Sequence, residues 1–221
     1  MCAGLSASGH QYPNDRNRRR QNGGAIDDVS ATFAKPANLG SSVGISRADE
    51  AASLVAAIDL AARYDRRIIV EEGLKMREIE CAVLGNDDPS ASLPGEYIIK
   101  DKAKAFLDYQ EKYSATGNNE FVVPAPVSAE LASKIQQMAI AAFKAIDGSG
   151  LARVDFFLRS DTGSLLINEI NTMPGLTEAS GYPKMWAGTG LAFRDVLDQL
   201  IELAEQRFDD RARNQTSRVA D

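Results

Sequence analysis

The sequence predicts an α+β fold in which antiparallel sheets are flanked by helices. Three observations support this class. Short strand-like runs are interspersed with amphipathic helical patterns, and a four-residue polar turn joins two consecutive strands near the end of the chain. The 221 residues, 44% of them hydrophobic with a net charge of −6, also suffice to bury a substantial core.

The helices and strands follow from hydrophobic periodicity. Apolar residues at helical spacing predict a helix that begins at Ser46, with Asp49 as a weak capping box. The same spacing predicts two later helices, over 128–146 and 193–208. Strands are predicted at 32–35, 67–71, 77–84, 96–100, 151–159 and 165–171. The turn 160–163 pairs the last two strands as an antiparallel hairpin.

The two ends of the chain lack periodic apolar residues. Residues 1–30 are mostly polar and contain an arginine cluster, so we interpret them as a disordered or non-native leader; a nucleic-acid arm or a targeting patch is the alternative. Residues 209–221 are predicted to be a disordered tail. The polar stretch 101–120 also lacks a clear period, which makes it a candidate functional loop.

Scarce residue types exclude several functions. The only histidine is His10, in the predicted leader, which argues against a Ser-His-Asp or Cys-His catalytic set and against a His/Cys zinc site. Cys2 and Cys81 give no disulfide framework and fit a reducing compartment. The acidic balance argues against nucleic-acid binding. No apolar run is long enough to cross a membrane, so we expect a cytoplasmic protein.

The predicted hairpin directs charged residues to one face. Alternation places Arg153 and Asp155 on one face of the first strand, and Leu165, Ile167, Glu169 and Asn171 on one face of the second. Asp155 then lies near Glu169 and Asn171, an all-oxygen cluster suited to Mg²⁺ or Mn²⁺. The alternative is a solvated sheet face with ordinary ion pairs. Apolar residues predicted on the same face favour the functional interpretation.

A second suggestive segment is the Gly/Ser-rich run 38–44. Its small residues expose backbone N–H groups that can hold a phosphate or carboxylate, although the same composition also makes plain turns. The chain contains neither the G-x-x-x-x-G-K-[ST] nor the G-x-G-x-x-G pattern, which argues against P-loop and Rossmann folds.

Four motifs, in order, resemble those of the D-alanine:D-alanine ligases, an ATP-grasp family. They are KPANLGSSVG at 35–44, REIECAVLG at 77–85, RVDFF at 153–157 and NEINTMPG at 168–175. The resemblance covers about 33–208 and implies an ATP-grasp fold that is N-terminally truncated. Residues 31–77 would form a partial central subdomain, and residues 78–208 the C-terminal subdomain.

The resemblance implies an ATP-dependent ligase that joins two D-alanines through an acyl phosphate to give D-alanyl-D-alanine for peptidoglycan. ATP and two Mg²⁺ or Mn²⁺ ions are the implied cofactors, and a homodimer is suggested. The alternatives are an inactive truncated remnant that at most binds Mg-ATP, or an ATP-grasp ligase with another amine substrate.

The motifs also carry the family's residue roles onto this chain. The implied ATP contacts are Lys35, Glu71, Glu78 and Lys112, and the implied metal ligands are Asp155, Glu169 and Asn171. Catalytic roles are implied for Ser41, Tyr113, Arg153 and the Gly175 N–H, and Ser180 would meet the carboxylate of the second D-alanine. Lys112 and Tyr113 would lie on a mobile lid that closes over the acyl phosphate.

Overall fold

The structure is a computed structural model that describes residues 31–40, 42–99 and 119–214. The predicted leader, residues 101–118 of the candidate functional loop, and the candidate site residues Ser41, Lys112 and Tyr113 lie outside these residues. The described chain divides into two compact units. The first contains residues 31–39 and 44–73, and the second contains the remaining described residues. Sequence analysis placed the corresponding boundary after residue 77.

The first unit is a three-stranded antiparallel sheet with one helix. Its elements are β1 (Thr32–Pro36), β2 (Ser46–Ala48), α1 (Ala51–Ala61) and β3 (Ile68–Glu72). The strand order is β2-β1-β3. Small side chains allow α1 to pack closely on the sheet: Ala34, Ala48 and Ala57 form a buried cluster.

The start of α1 differs from the prediction. Ser46 was expected to begin the helix with Asp49 as its capping partner, but Ser46–Ala48 is a strand paired with Thr32–Ala34. The helix begins after Glu50, whose capping box is completed by Ser53. The prediction was wrong because this capping pair lies four residues further along the chain, and because β1 recruits the preceding residues as a sheet partner.

The second unit is a larger antiparallel sheet with three helices in its described part. Its strands are β4 (Met76–Gly85), β5 (Ser90–Ala91), β6 (Gly95–Ile99), β7 (Asn119–Val122), β8 (Gly150–Arg159) and β9 (Leu165–Asn171). Its helices are α2 (Ala129–Ala145), α3 (Gly181–Thr189) and α4 (Phe193–Ala212). The strand order is β7-β6-β4-β8-β9, with β5 paired to β4.

The two faces of this sheet are covered differently. On one face α2 packs over Ile79, Cys81, Val154 and Phe156, which belong to one continuous core cluster. On the other face α3 and α4 cover one end of the sheet through a second cluster that contains Leu84, Tyr182, Met185, Trp186 and Val196. The charged side chains of β8 alternate with its core residues, so they project from this second face.

A β-bulge in the β8–β9 hairpin corrects the predicted faces of β9. Asp155 pairs with Glu169, but Phe156 pairs with Ile167, so Asn168 has no opposite residue. The extra residue reverses the alternation. Leu165 therefore pairs with Leu158 and packs against the α2 core, rather than sharing a face with Glu169 and Asn171 as predicted.

The last helix is longer than predicted. It was expected to end near Phe208, with a disordered tail from Asp209, but α4 continues to Ala212. Helix-forming residues and two Arg–Asp pairs extend it without apolar periodicity. Sequence analysis missed β5, β7 and α3. Among the described residues, no helix is both long and apolar enough to cross a membrane.

Candidate functional site

The charged face of the β8–β9 hairpin brings together four predicted site residues. Arg153 pairs with Asn171, and Asp155 pairs with Glu169, in one antiparallel ladder. Directly opposite residues on adjacent strands have neighbouring side chains on the same face. The bulge at Asn168 lies on the turn side of both pairs, so it leaves them in register. The predicted juxtaposition of Asp155, Glu169 and Asn171 is therefore present.

Arg153 and Asp155 form a two-pronged ion pair. Arg153 Nε donates to Asp155 Oδ1 at 2.6 Å, and Arg153 Nη2 donates to Asp155 Oδ2 at 2.6 Å. The side chains are only 17% and 14% exposed. Such fork-shaped contacts orient both groups, because the planar guanidinium matches the carboxylate geometry.

Glu80 is a third member of this charged group, and sequence analysis did not single it out. It lies on β4 opposite Asp155, and its Oε2 is 3.5 Å from Arg153 Nε. The residue is only 6% exposed. Alternation contained the signal: Ile79 and Cys81 lie in the core on one face of this strand, so Glu78 and Glu80 share the other.

Glu78 on β4, and Lys35 and Glu71 in the first unit, were expected to contact ATP. Glu78 lies two residues before Glu80 on β4 and pairs with Phe157. Within the first unit, Lys35 Nζ is 2.8 Å from Glu71 Oε1, a cross-sheet ion pair between β1 and β3. The Lys35 side chain is 15% exposed and that of Glu71 is 35% exposed.

The segment after β9 is organised around Asn171 and Ser180. Asn171 Oδ1 accepts a hydrogen bond from Met173 N at 3.1 Å, which turns the chain away from the strand. Ser180 Oγ accepts from Thr177 N at 3.3 Å and lies 2.8 Å from Thr177 Oγ1. A Cβ on Gly175 would lie 2.8 Å from Ser180 Oγ, so Gly175 allows a close approach that a side chain would obstruct.

The donor atoms of the hairpin fit a hard divalent cation. Asp155, Glu169 and Asn171 supply carboxylate and amide oxygens, which Mg²⁺ and Mn²⁺ prefer. Across the described ranges, no three His, Cys, Asp or Glu side chains are grouped closely enough to hold a metal. The proposed set contains only two carboxylates, and both oxygens of Asp155 accept from Arg153. To bind a cation, Asp155 must therefore either share its oxygens between the cation and Arg153 or release the hydrogen bonds from Arg153.

Arg77 and Glu96 form a separate ion pair on the opposite face of the sheet. Arg77 Nε and Nη2 donate to the two Glu96 oxygens at 2.7 and 2.6 Å, and Nη2 also donates to the Pro126 carbonyl at 3.1 Å. The hydrogen bond with Glu96 raises the pKa of Arg77. This pair joins β4, β6 and the segment after β7, which indicates a structural role.

Comparison with known proteins decides the family. The family model described as D-ala D-ala ligase C-terminus matches residues 29–202. The chain belongs to this family. The resemblance drawn from the four motifs is thereby confirmed, as is the α+β fold of the ATP-grasp class with its antiparallel sheets and flanking helices. The family's enzymes are carbon–nitrogen ligases.

Relatives of the D-ala D-ala ligase family extend over most of the chain. A D-alanine--D-alanine ligase from Heliobacterium modesticaldum is 51% identical over 187 residues, which are 85% of this chain and 50% of that protein. One from Ruminiclostridium cellulolyticum is 46% identical over 209 residues, 90% of this chain and 55% of that protein. The chain thus spans about half the length of these relatives.

Solved structures agree with this assignment to the D-ala D-ala ligase family. The D-alanine-D-alanine ligase from Coxiella burnetii matches with a TM-score of 0.70 and 41% identity, over 82% of this chain and 47% of that one. The VanG D-Ala:D-Ser ligase from Enterococcus faecalis matches with a TM-score of 0.68 and 40% identity, over 79% and 50% respectively.

Proposed function

We propose that the chain is an ATP-dependent ligase that joins two D-alanines into D-alanyl-D-alanine through an acyl phosphate, for peptidoglycan synthesis. The observation that carries this proposal is the charged β8–β9 face, with Arg153, Asp155, Glu169 and Asn171 side by side. Relatives named D-alanine--D-alanine ligase at 45–51% identity support it.

The proposed reaction needs charge neutralisation and positioning more than acid–base chemistry. Phosphoryl transfer from ATP to the carboxylate of the first D-alanine is driven largely by cations around the phosphates. Two Mg²⁺ or Mn²⁺ ions, held by Asp155, Glu169 and Asn171, would supply that charge. Lys35 and Lys112 would contact phosphate, Glu71 the adenine amino group, and Glu78 the ribose hydroxyls. This chemistry requires no histidine, in keeping with the composition.

The second half-reaction is attack of an amine on the acyl phosphate. Arg153 and the Gly175 N–H would donate hydrogen bonds to the developing oxyanion, and Arg153 lies beside the proposed metal ligand Asp155. Ser180 would bind the carboxylate of the second D-alanine. Ser41 and Tyr113 would hold the lid closed and exclude water, which otherwise hydrolyses the intermediate.

The same proposal extends to the setting of the enzyme. We propose a cytoplasmic location, where ATP is available, and a homodimer; both rest on the family resemblance. Size-exclusion chromatography with light scattering measures the mass of the purified chain. A dimer mass supports the homodimer, and a concentration-independent monomer mass contradicts it.

Turnover with D-alanine tests the function. Purified chain is incubated with ATP, Mg²⁺ and D-alanine, and both phosphate release and D-alanyl-D-alanine are measured. Glu169→Gln should abolish both, whereas Glu205→Gln, the same change at an exposed position of α4, should leave them unchanged. Dipeptide formation that survives Glu169→Gln would contradict the proposed site.

Two other outcomes point to alternative functions. Binding of Mg-ATP without dipeptide formation favours an inactive nucleotide-binding chain, which the half-length match to the relatives makes a specific candidate. If a dipeptide forms when D-serine is added but not with D-alanine alone, the amine substrate is not D-alanine. The VanG relative is named a D-Ala:D-Ser ligase. If the chain neither binds Mg-ATP nor forms dipeptide, both the ligase proposal and the nucleotide-binding proposal are refuted.

A further inference from the structure

Three acidic residues occupy paired positions on three adjacent strands of the second unit. Glu80 on β4 pairs with Asp155 on β8, and Asp155 pairs with Glu169 on β9. Like charges directly opposite each other in a sheet repel. Arg153, two residues before Asp155 on the same face, supplies the compensating charge through its contacts with Asp155 and Glu80.

The contacts of Arg153 with these two carboxylates are unequal. Its guanidinium makes two hydrogen bonds of 2.6 Å to Asp155, whereas its Nε lies 3.5 Å from Glu80 Oε2. In the conformation described, Asp155 therefore accepts both hydrogen bonds, and Glu80 Oε2 is an adjacent oxygen at ion-pair distance. A cation that takes oxygens of Asp155 would remove hydrogen bonds from Arg153, whose side chain is only 17% exposed.

Glu80 is held where it can replace that acceptor. The residue is 6% exposed, and a Cβ on Gly181, the first residue of α3, would lie 2.9 Å from Glu80 Oε2. The close backbone at the start of α3 thus limits the space around the Glu80 carboxylate. No group of three His, Cys, Asp or Glu among the described residues is arranged to hold a metal, which argues against Glu80 as a third ligand.

We propose that Glu80 is a positioning residue that accepts the Arg153 guanidinium when Asp155 turns to a divalent cation. Glu80 thereby keeps Arg153 fixed beside the reacting phosphate and lowers the cost of freeing Asp155. This inference rests on the proposed function, because it assumes that Asp155 binds a cation. It assigns to Glu80 a role that differs from ligation: Glu80 acts on the metal only through Arg153.

A double-mutant cycle tests this coupling. Mn²⁺ affinity of the full 221-residue chain is measured by electron paramagnetic resonance of the free ion, for wild type, Glu80→Gln, Arg153→Met and the double variant. Glu80→Gln alone should weaken Mn²⁺ binding by about tenfold, as changes in the partners of metal ligands commonly do. In the Arg153→Met background the same change should alter affinity by less than about twofold, since the coupling is then absent.

Other results overturn the inference. An equal loss in both backgrounds would show that Glu80 acts directly on the cation, and no loss in either would show that it plays no part. Glu169→Gln is measured in parallel: if it leaves Mn²⁺ affinity unchanged, the proposed metal site itself fails. If Glu169→Gln weakens binding and Glu80→Gln does not, only the role of Glu80 is refuted.

A measurement on the unaltered protein keeps the test independent of how the variants fold. The Nε–H signal of Arg153 is followed by ¹H–¹⁵N NMR while Mg²⁺ is added, with Arg153→Lys used only to assign it. The inference predicts that the Nε–H shifts yet stays protected from solvent exchange, because Glu80 accepts its hydrogen bond. Rapid solvent exchange in the Mg²⁺-saturated chain would overturn it.

Discussion

Arg153 and Asp155 lie two residues apart on β8 and are joined by two hydrogen bonds of 2.6 Å. Alternate residues of a strand share a face, so the pair needs no turn or loop to bring it together. Both side chains are mostly shielded from solvent. The pair fixes the orientation of the guanidinium. It also occupies both oxygens of the carboxylate that the proposed cation would bind.

The shape of the Arg153 side chain should matter as well as its charge. In Arg153→Lys the ammonium keeps the charge but cannot form the two-pronged contact with Asp155. We expect the free energy of unfolding to fall by about 1.5 kcal/mol, the value of a lost charged hydrogen bond in a shielded site. Urea unfolding at pH 7 measures this loss.

Arg194→Lys is the matched control. Arg194 lies on α4 with a side chain 90% exposed, and its Nε is 3.8 Å from Asp198 Oδ2. Exposed pairs of this kind contribute little, so the change should stay within about 0.5 kcal/mol. Equal losses at the two positions would contradict the structural role assigned to the Arg153–Asp155 pair.

The Arg77–Glu96 pair should stabilise the sheet more strongly than its surface counterparts. Glu96 has a side chain only 6% exposed, so Arg77→Met leaves a buried carboxylate without its guanidinium. We expect a loss of about 3 kcal/mol in the free energy of unfolding, since an unpaired buried charge is costly. The double variant Arg77→Met/Glu96→Leu should recover most of it; a loss equal to the sum of the single variants would contradict this.

The hairpin turn should contain an unusually acidic carboxyl group. Two hydrogen bonds from Arg159 to Asp161 lower the pKa of Asp161 below its ordinary 3.8. Because the folded pKa is depressed, the stabilisation is fully present above about pH 4 and is lost as the pH falls through the folded pKa. Carboxyl ¹³C NMR titration should show this low value in the wild type.

The variant Arg159→Leu tests whether Arg159 causes the low pKa of Asp161. The pKa of Asp161 should rise toward 3.8 in this variant, because its principal partner is gone. The pKa of Asp65, which is lowered chiefly by the backbone hydrogen bond from Arg67, should not change. A rise in both values would indicate a general loss of structure, and an unchanged Asp161 would refute the pairing.

Cys81 should resist alkylation in the folded chain. Burial raises the pKa of its thiol to about 12, so almost no reactive thiolate is present at pH 8. In a Cys2→Ser background, iodoacetamide at pH 8 should leave the native protein unmodified for hours and label one site in 6 M guanidinium. Mass spectrometry measures the label; rapid modification of the native chain would contradict the burial of β4.

The pairing of β8 with β9 could be predicted from the sequence, whereas the bulge in β9 could not. Period-2 alternation on 151–159 and a short polar turn were enough to bring Asp155 to Glu169 and Asn171. Nothing in the run Leu165 to Asn171 indicates that Asn168 is an extra residue, because a bulge depends on the partner strand. The faces of Leu165 and Ile167 were therefore predicted wrongly while the charged pairs were predicted correctly.

Short elements were missed because tertiary contacts make them. Strand β5 has two residues and owes its pairing to β4. Helix α3 contains Gly181 and Pro183, which lower helix propensity, and it forms because Tyr182, Met185 and Trp186 are buried against the sheet. Glu80 was overlooked for a related reason: alternation gives its face of β4, but the register with Asp155 is needed to place it beside the charged residues of β8.

The most direct test of the account is whether a divalent cation binds at the end of β9. Mn²⁺ is added in small steps to the ¹⁵N-labelled chain, and the side-chain amides of Asn171 and Gln137 are compared; Gln137 is exposed on α2, which covers the opposite face. We predict that the Asn171 signal is lost first, and that Glu169→Gln removes this preference. Equal broadening of both amides in the wild-type chain would contradict a metal site on the β8–β9 hairpin.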